Sequence, residues 1–221
     1  MQSRKPKGVH PRSAGGKFGR YKDISERASR EARVGESPGA ARLVRHWERF
    51  CRIAHAIRGW DGADISPGAF HYNLALGYLG GIDIRPRQIE AFSVALSASA
   101  DMERFGIPGG IHLSAPINTG RSGNYSLWTS GYISQLESLG HRNRKSIVVH
   151  GDAGHYSFEG MESGEVLVEG EVTDSAGENM SGGVLRMGGA LLIEHAIAGF
   201  EAGPVSGGKI YHKGALMAGE E

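Results

Sequence analysis

Two periodicities divide the chain. In the first part apolar residues recur at helical steps of three and four; beyond Arg144 they alternate every second residue in short runs, as in strands. The clearest helix spans residues 39–58, where Leu43, Trp47, Phe50, Ala54 and Ile57 fall on one stripe. Arg42, Arg45, Arg49 and Arg52 fall on its opposite side. A second helix is expected to start at Ser66-Pro67 and stop at Gly80-Gly81. A third is expected to start after Pro86 and to close at Gly106, with Ile89, Phe92, Leu96 and Met102 as its apolar residues. Residues 106–124 read as loop, and 125–140 as a weaker helix with Trp128, Tyr132, Leu136 and Leu139 in phase.

Past Arg144 one short strand is written four times. The runs SIVVHG (146–151), EVLVEG (165–170), VLRMGG (184–189) and KIYHKG (209–214) bring Ile147, Val166, Leu185 and Ile210 into correspondence, at steps of 19, 19 and 25 residues. Two residues on stand Val149, Val168, Met187 and His212, and between them the outward set Val148, Leu167, Arg186 and Tyr211. The turns GMESG (160–164), NMSGG (179–183) and PVSGG (204–208) precede the later copies. Periods near twenty residues signal a solenoid. One strand per repeat with glycine corners predicts a β-helix of about four coils rather than a leucine-rich horseshoe. Its two inward sets are expected to stack as two ladders in the core. The upstream helices should cap the first coil, because an uncovered sheet edge invites pairing with other chains. The polar His212 predicts that the far end is exposed or meets a partner.

The glycine arrangement across residues 151–189, GDAGHYSFEGMESGEVLVEGEVTDSAGENMSGGVLRMGG, resembles the GXGXG right-handed β-helix domain. That domain forms the C-terminal part of the large subunit of glutamate synthase and the core of one of the subunits of formylmethanofuran dehydrogenase. Gly151, Gly154 and Gly160 approximate its first glycine turn, and Gly170 and Gly177 the next, with Thr173 at the middle position. Met180-Ser181-Gly182-Gly183 matches its Met-Ser-Gly-Gly corner, and Gly164, Gly207 and Gly208 take the equivalent corner places. The resemblance covers about residues 145–214 and implies a right-handed β-helix acting as a non-catalytic scaffold. It does not extend to the whole synthase, which needs an N-terminal cysteine nucleophile and a cysteine-bound iron–sulfur cluster: Gln2 follows Met1, and Cys51 stands alone.

Composition sharpens this outline. Glycine makes up 35 of 221 residues, about twice the usual share, as many tight corners require. A single cysteine excludes an internal disulfide and any four-cysteine metal site. No apolar run reaches membrane-spanning length and no hydrophobic segment follows Met1, so a reducing, cytoplasmic compartment is expected, with no membrane partner. The net charge of +1 conceals a division: residues 1–58 hold fifteen basic and five acidic residues, the remainder ten and nineteen. Residues 1–22, with seven basic residues and no acidic one, predict a flexible arm or a targeting segment.

Candidate chemistry is sparse. His150, Asp152 and His155 are residue types that bind a divalent metal. They are weak candidates, because His150 takes the outward phase of its strand, His155 a corner, and their coil equivalents Glu169 and Asp174 are acidic. Ser206 and Lys209 have Ser-x-x-Lys spacing but straddle a repeat corner. The loop NTGRSGN (118–124), with Arg121, can hold an anion yet lacks the length and lysine of a P-loop. Cys51 reads as a small core residue, and His46 and His55 as helix-surface residues. No catalytic residue, metal or cofactor is expected.

The chain is therefore expected to be α+β: a basic arm over 1–38, a mainly helical region over 39–143, and a short single-stranded β-helix over 144–221. The expected role is a scaffold or accessory subunit. It presents the solenoid to partner subunits, while the basic segment, with Arg42, Arg45, Arg49 and Arg52, engages something acidic. Two alternatives remain open. One is an enzyme subunit of amidotransferase or formyl-transfer type, with its site between helices and solenoid. The other is a nucleic-acid binder working through residues 1–58.

Overall fold

The computed structural model describes residues 38–56, 67–79, 82, 84–98, 109–129, 137–173, 175–191 and 205–219. Residues 1–37 of the expected basic arm lie outside these residues, as do Ile57, Met102, Tyr132, Leu136 and Asp174. Helices α1 (Pro38–Ala56), α2 (Pro67–Leu79), α3 (Pro86–Ala98) and α4 (Gly109–Thr119) precede strands β1 (Asn124–Trp128), β2 (Ser146–His150), β3 (Glu165–Val168), β4 (Ser181–Met187), β5 (Gly207–His212) and β6 (Ala215–Ala218). The strands form one sheet in sequence order, parallel from β1 to β5 and antiparallel at β6. This is an α+β chain in which helices lead into a β-solenoid of about three turns.

The nineteen-residue period sets the register. Ile147 pairs with Val166, Val166 with Leu185 and Leu185 with Ile210, and all four are buried. The second ladder, Val149, Val168, Met187 and His212, stacks in the same way. Side-chain alternation means that a one-residue slip would turn these apolar chains outward, so pattern and pairing agree. A second ladder of backbone bridges joins Ala153, Val172 and Leu191.

The corners repeat in backbone conformation as well as in sequence. Positive φ recurs at alternate residues: Ser138, Gly140 and Arg142; then Tyr156, Phe158 and Gly160; then Ser175, Gly177 and Asn179. At the entry to β3, β4 and β5 the glycines Gly164, Gly183 and Gly208 share φ of 87°, 86° and 85°. Their neighbours leave no room for a side chain: a Cβ on Gly183 would stand 2.8 Å from the Gly164 carbonyl, and one on Gly208 2.7 Å from the Gly183 carbonyl. Glycine is needed there on both counts.

Three expectations are corrected. Residues 125–140 do not form one helix, because Asn124–Trp128 is the strand β1, in register with β2 through Tyr125–Ile147 and Leu127–Val149. Sheet pairing thus begins upstream of residue 144, with a longer step of 22 residues that hides the copy. Residues 109–119, within the expected loop, form a helix buried from Gly109 to Ile117, despite two leading glycines and an internal Pro116. Burial on all sides overrides its poor propensity. At the far end the chain does not simply stop or begin another coil: it reverses at Lys213-Gly214, both at positive φ, and β6 pairs back on β5. The expected four coils therefore become about three turns.

The helices cap the first coil, as expected from the need to cover its edge. Trp128 N–H donates to Ser93 Oγ of α3 at 2.9 Å. His141 N–H donates to Ser114 Oγ of α4 at 3.1 Å, and Asn118 Nδ2 donates to the His141 and Arg142 carbonyls at 3.0 and 3.2 Å. Backbone groups that a preceding coil would satisfy are satisfied by helix side chains.

Candidate functional site

Two surfaces stand out, one on α1 and one where α2 and α4 meet the solenoid. On α1, Leu43, Trp47, Phe50 and Cys51 are buried, while Arg42, Arg45, Arg49 and Arg52 are all exposed. The helical step of three to four residues places these guanidinium groups along one face, about 15 Å from first to last. None of the four has an ion-pair partner among the described residues, and the nearest acidic residue on the helix, Glu48, pairs with none of them. The solenoid behaves differently. Arg142 and Arg144 pair with Glu162, and Arg186 pairs with Glu165 at 2.8 Å while lying over the Tyr211 ring at 4.8 Å.

Side chains beneath the arginine face carry no reactive chemistry. His46 packs edge-on to Tyr78 at 5.5 Å, so it is an interhelical residue rather than the surface residue expected. Its burial and then the charges of Arg42, Arg49 and Arg45 hold its pKa below the ordinary histidine value. Burial pushes the Cys51 thiol up to about 12, which keeps it protonated and unreactive. His112 of α4 is wholly buried against Trp47, Phe50 and Phe92, with ring centroids 5.1, 4.7 and 5.9 Å away. Desolvation pushes its pKa down to about 3, and neither ring nitrogen has a hydrogen-bond partner among the described residues.

The residues His150, Asp152 and His155 are directed to separate partners. His150 Nδ1 lies 2.9 Å from Glu169 Oε2, with the imidazole against the Trp128 ring. Asp152 Oδ1 accepts the Glu171 N–H at 2.8 Å, and His155 packs beside Tyr156. Among the described residues no group of three such side chains is disposed to hold a metal ion. Ser206 Oγ donates to the Met180 carbonyl at 3.2 Å, serving the corner.

The second surface is a cleft of about 280 Å³ lined by Tyr72, Asn73, Leu76, Asn118, Thr119, Arg142, Arg144 and Glu162. Glu162 holds both guanidinium groups, Arg142 Nε at 3.4 Å and Arg144 Nε at 2.6 Å. The expected anion loop lies next to it, tied down where Lys145 Nζ donates to the Gly120 carbonyl at 3.0 Å. The sequence pointed to a site between helices and solenoid and to the loop holding Asn118 and Thr119, but not to Tyr72, Arg142, Arg144 and Glu162, although one signal for them was present. Opposite charges about one coil apart, such as Arg144 and Glu162 or Glu165 and Arg186, become neighbours once coils stack.

No protein-family model, curated protein or solved structure matches the chain. Among the described residues no helix is long and apolar enough to cross a membrane.

Proposed function

We propose that this protein is a non-catalytic scaffold or accessory subunit, in which a helix-capped solenoid holds the arginine face of α1 toward an acidic partner subunit. The observation that carries this proposal is the exposure of Arg42, Arg45, Arg49 and Arg52 without ion pairs among the described residues, beside a solenoid whose clustered arginines are paired. Unpaired cations on a rigid helix steer and orient an oppositely charged surface without having to give up internal partners. The likeness of the corners to the GXGXG domain supports the same role, since that domain serves as a scaffold in its relatives. So do the contacts of His150 and Asp152, which tie neighbouring coils together through Glu169 and the Glu171 amide.

Affinity capture of the full chain from its own cells, with and without nuclease, tests this. The expected result is a stoichiometric acidic protein that survives nuclease and is lost from an Arg45→Glu, Arg49→Glu double variant. Capture of the same partner by the double variant would overturn the assignment of that face. Recovery of nucleic acid in place of protein would move the function to the basic segment as a nucleic-acid binder, with affinity that falls steeply with salt.

A further inference from the structure

We propose that the cleft between α2, α4 and the solenoid corners binds the phosphoryl group of a small phosphate ester. Its polar lining is dominated by donors. The Nη groups of Arg142 and one of Arg144 have no protein partner among the described residues, because Glu162 is engaged through both Nε atoms and Arg144 Nη2. Tyr72 is buried, and its hydroxyl accepts from Asn118 Nδ2 at 2.8 Å, leaving the O–H proton without an acceptor among the described residues. Thr119 is not available, since its hydroxyl donates to the Ala115 carbonyl at 2.9 Å. The one carboxylate lining the cleft, Glu162, is taken up by two arginines, and the buried Asn118 Oδ1 is an acceptor without a partner among the described residues, so what remains suits a ligand that carries negative charge and also has a hydroxyl to donate.

Geometry favours a phosphoryl group over a carboxylate. Glu162 draws both guanidinium groups to one carboxylate, and the N–H groups it leaves over are enough to meet several oxygens of a tetrahedral dianion. The lining holds two arginines against one glutamate, an excess of positive charge that suits an anion. The side chains are also held in place. Asn118 ties Tyr72 to the His141 and Arg142 carbonyls, so the helix end and the solenoid corner form one frame. A volume of about 280 Å³ sits at the small end of ligand cavities, with room for a few carbons beyond the phosphate.

Calorimetric titration of the full chain with glycerol 3-phosphate, inorganic phosphate and acetate tests this. Glycerol 3-phosphate is expected to bind, inorganic phosphate to bind more weakly, and acetate not to compete. Inorganic phosphate binding as tightly as the ester would assign the site to free phosphate and overturn the ester. Arg144→Gln and Arg142→Asn, the latter chosen because asparagine tolerates the positive φ of position 142, should each weaken binding by roughly tenfold or more. Tyr72→Phe should weaken it by a smaller factor, with thermal unfolding showing that all three variants remain folded. Failure of the ester to bind, competition by acetate, or equal binding to the arginine variants would each overturn the proposal. None of these outcomes depends on the arginine face of α1.

Discussion

At the scale of single residues, the solenoid core is built by fitting a large side chain of one coil into space left by a glycine in the next. A Cβ on Gly140 would overlap the Phe158 ring, and one on Gly177 would stand 2.7 Å from Ile210 Cδ1. Phe158 is fully buried at a positive φ of 64°, so its ring fills the corner against a backbone cost that glycine would not incur. Phe158→Ala keeps the same φ but empties the corner, and should destabilise the protein by about 3–5 kcal/mol in urea unfolding. His212 shows the same economy with a polar group. It occupies an inward ladder position, and its Nε2 lies 2.9 Å from the Gly189 carbonyl, so a histidine is tolerated where the other coils carry aliphatic residues.

At the scale of elements, the junction between α3 and β1 matters most, because it covers the leading edge of the sheet. Ser93 is fully buried, accepts the Trp128 N–H, and donates to the Glu90 carbonyl at 2.8 Å. Ser93→Ala leaves the half-buried Trp128 amide without this acceptor and should cost about 1 kcal/mol or somewhat more. Hydrogen exchange at that amide should quicken by more than at the central strands, because the edge opens before the sheet. Helix α3 itself was readable: Pro86 opens it, and Gln88 Oε1 accepts the Arg85 N–H at 2.9 Å, half of a capping box. Helix α4 was not readable, because its glycines and proline describe a loop and its surroundings supply the stability. Strand β1 escaped notice because Tyr125 and Leu127 alternate over too short a run to stand out from helical spacing.

At the scale of the whole molecule, the helical part and the solenoid share one core, and His112 lies in it with a neutral ring. A histidine whose folded pKa is lowered from 6.5 to about 3 binds its proton in the unfolded chain first. Its contribution is therefore complete above about pH 6.5 and declines as pH falls toward 3, by up to about 1.4 kcal/mol per pH unit. Thermal unfolding followed from pH 7 downward should show this decline, and His112→Phe, which suits the cage of Trp47, Phe50 and Phe92, should flatten it. A profile unchanged by that substitution would place the acid sensitivity elsewhere. Charge is also arranged at this scale: the basic segment leads into α1, and the acidic excess follows in the remaining chain.

The repeat was legible because a solenoid pairs each strand with its own copy one period away. Short-range spacing in the sequence thus becomes register in space, as Ile147, Val166, Leu185 and Ile210 demonstrate. The stripe of α1 was legible for a similar reason, since its apolar residues repeat with the turn of a single helix. Residue pattern alone therefore settled the class of fold, the inward ladders and the arginine face. Three-dimensional packing set where the solenoid begins and ends, the helix at Gly109–Thr119, and the cleft that unites Tyr72, Asn118, Arg142, Arg144 and Glu162. Those features rest on contacts between residues far apart in the chain with no shared period, and on burial strong enough to outweigh local propensity.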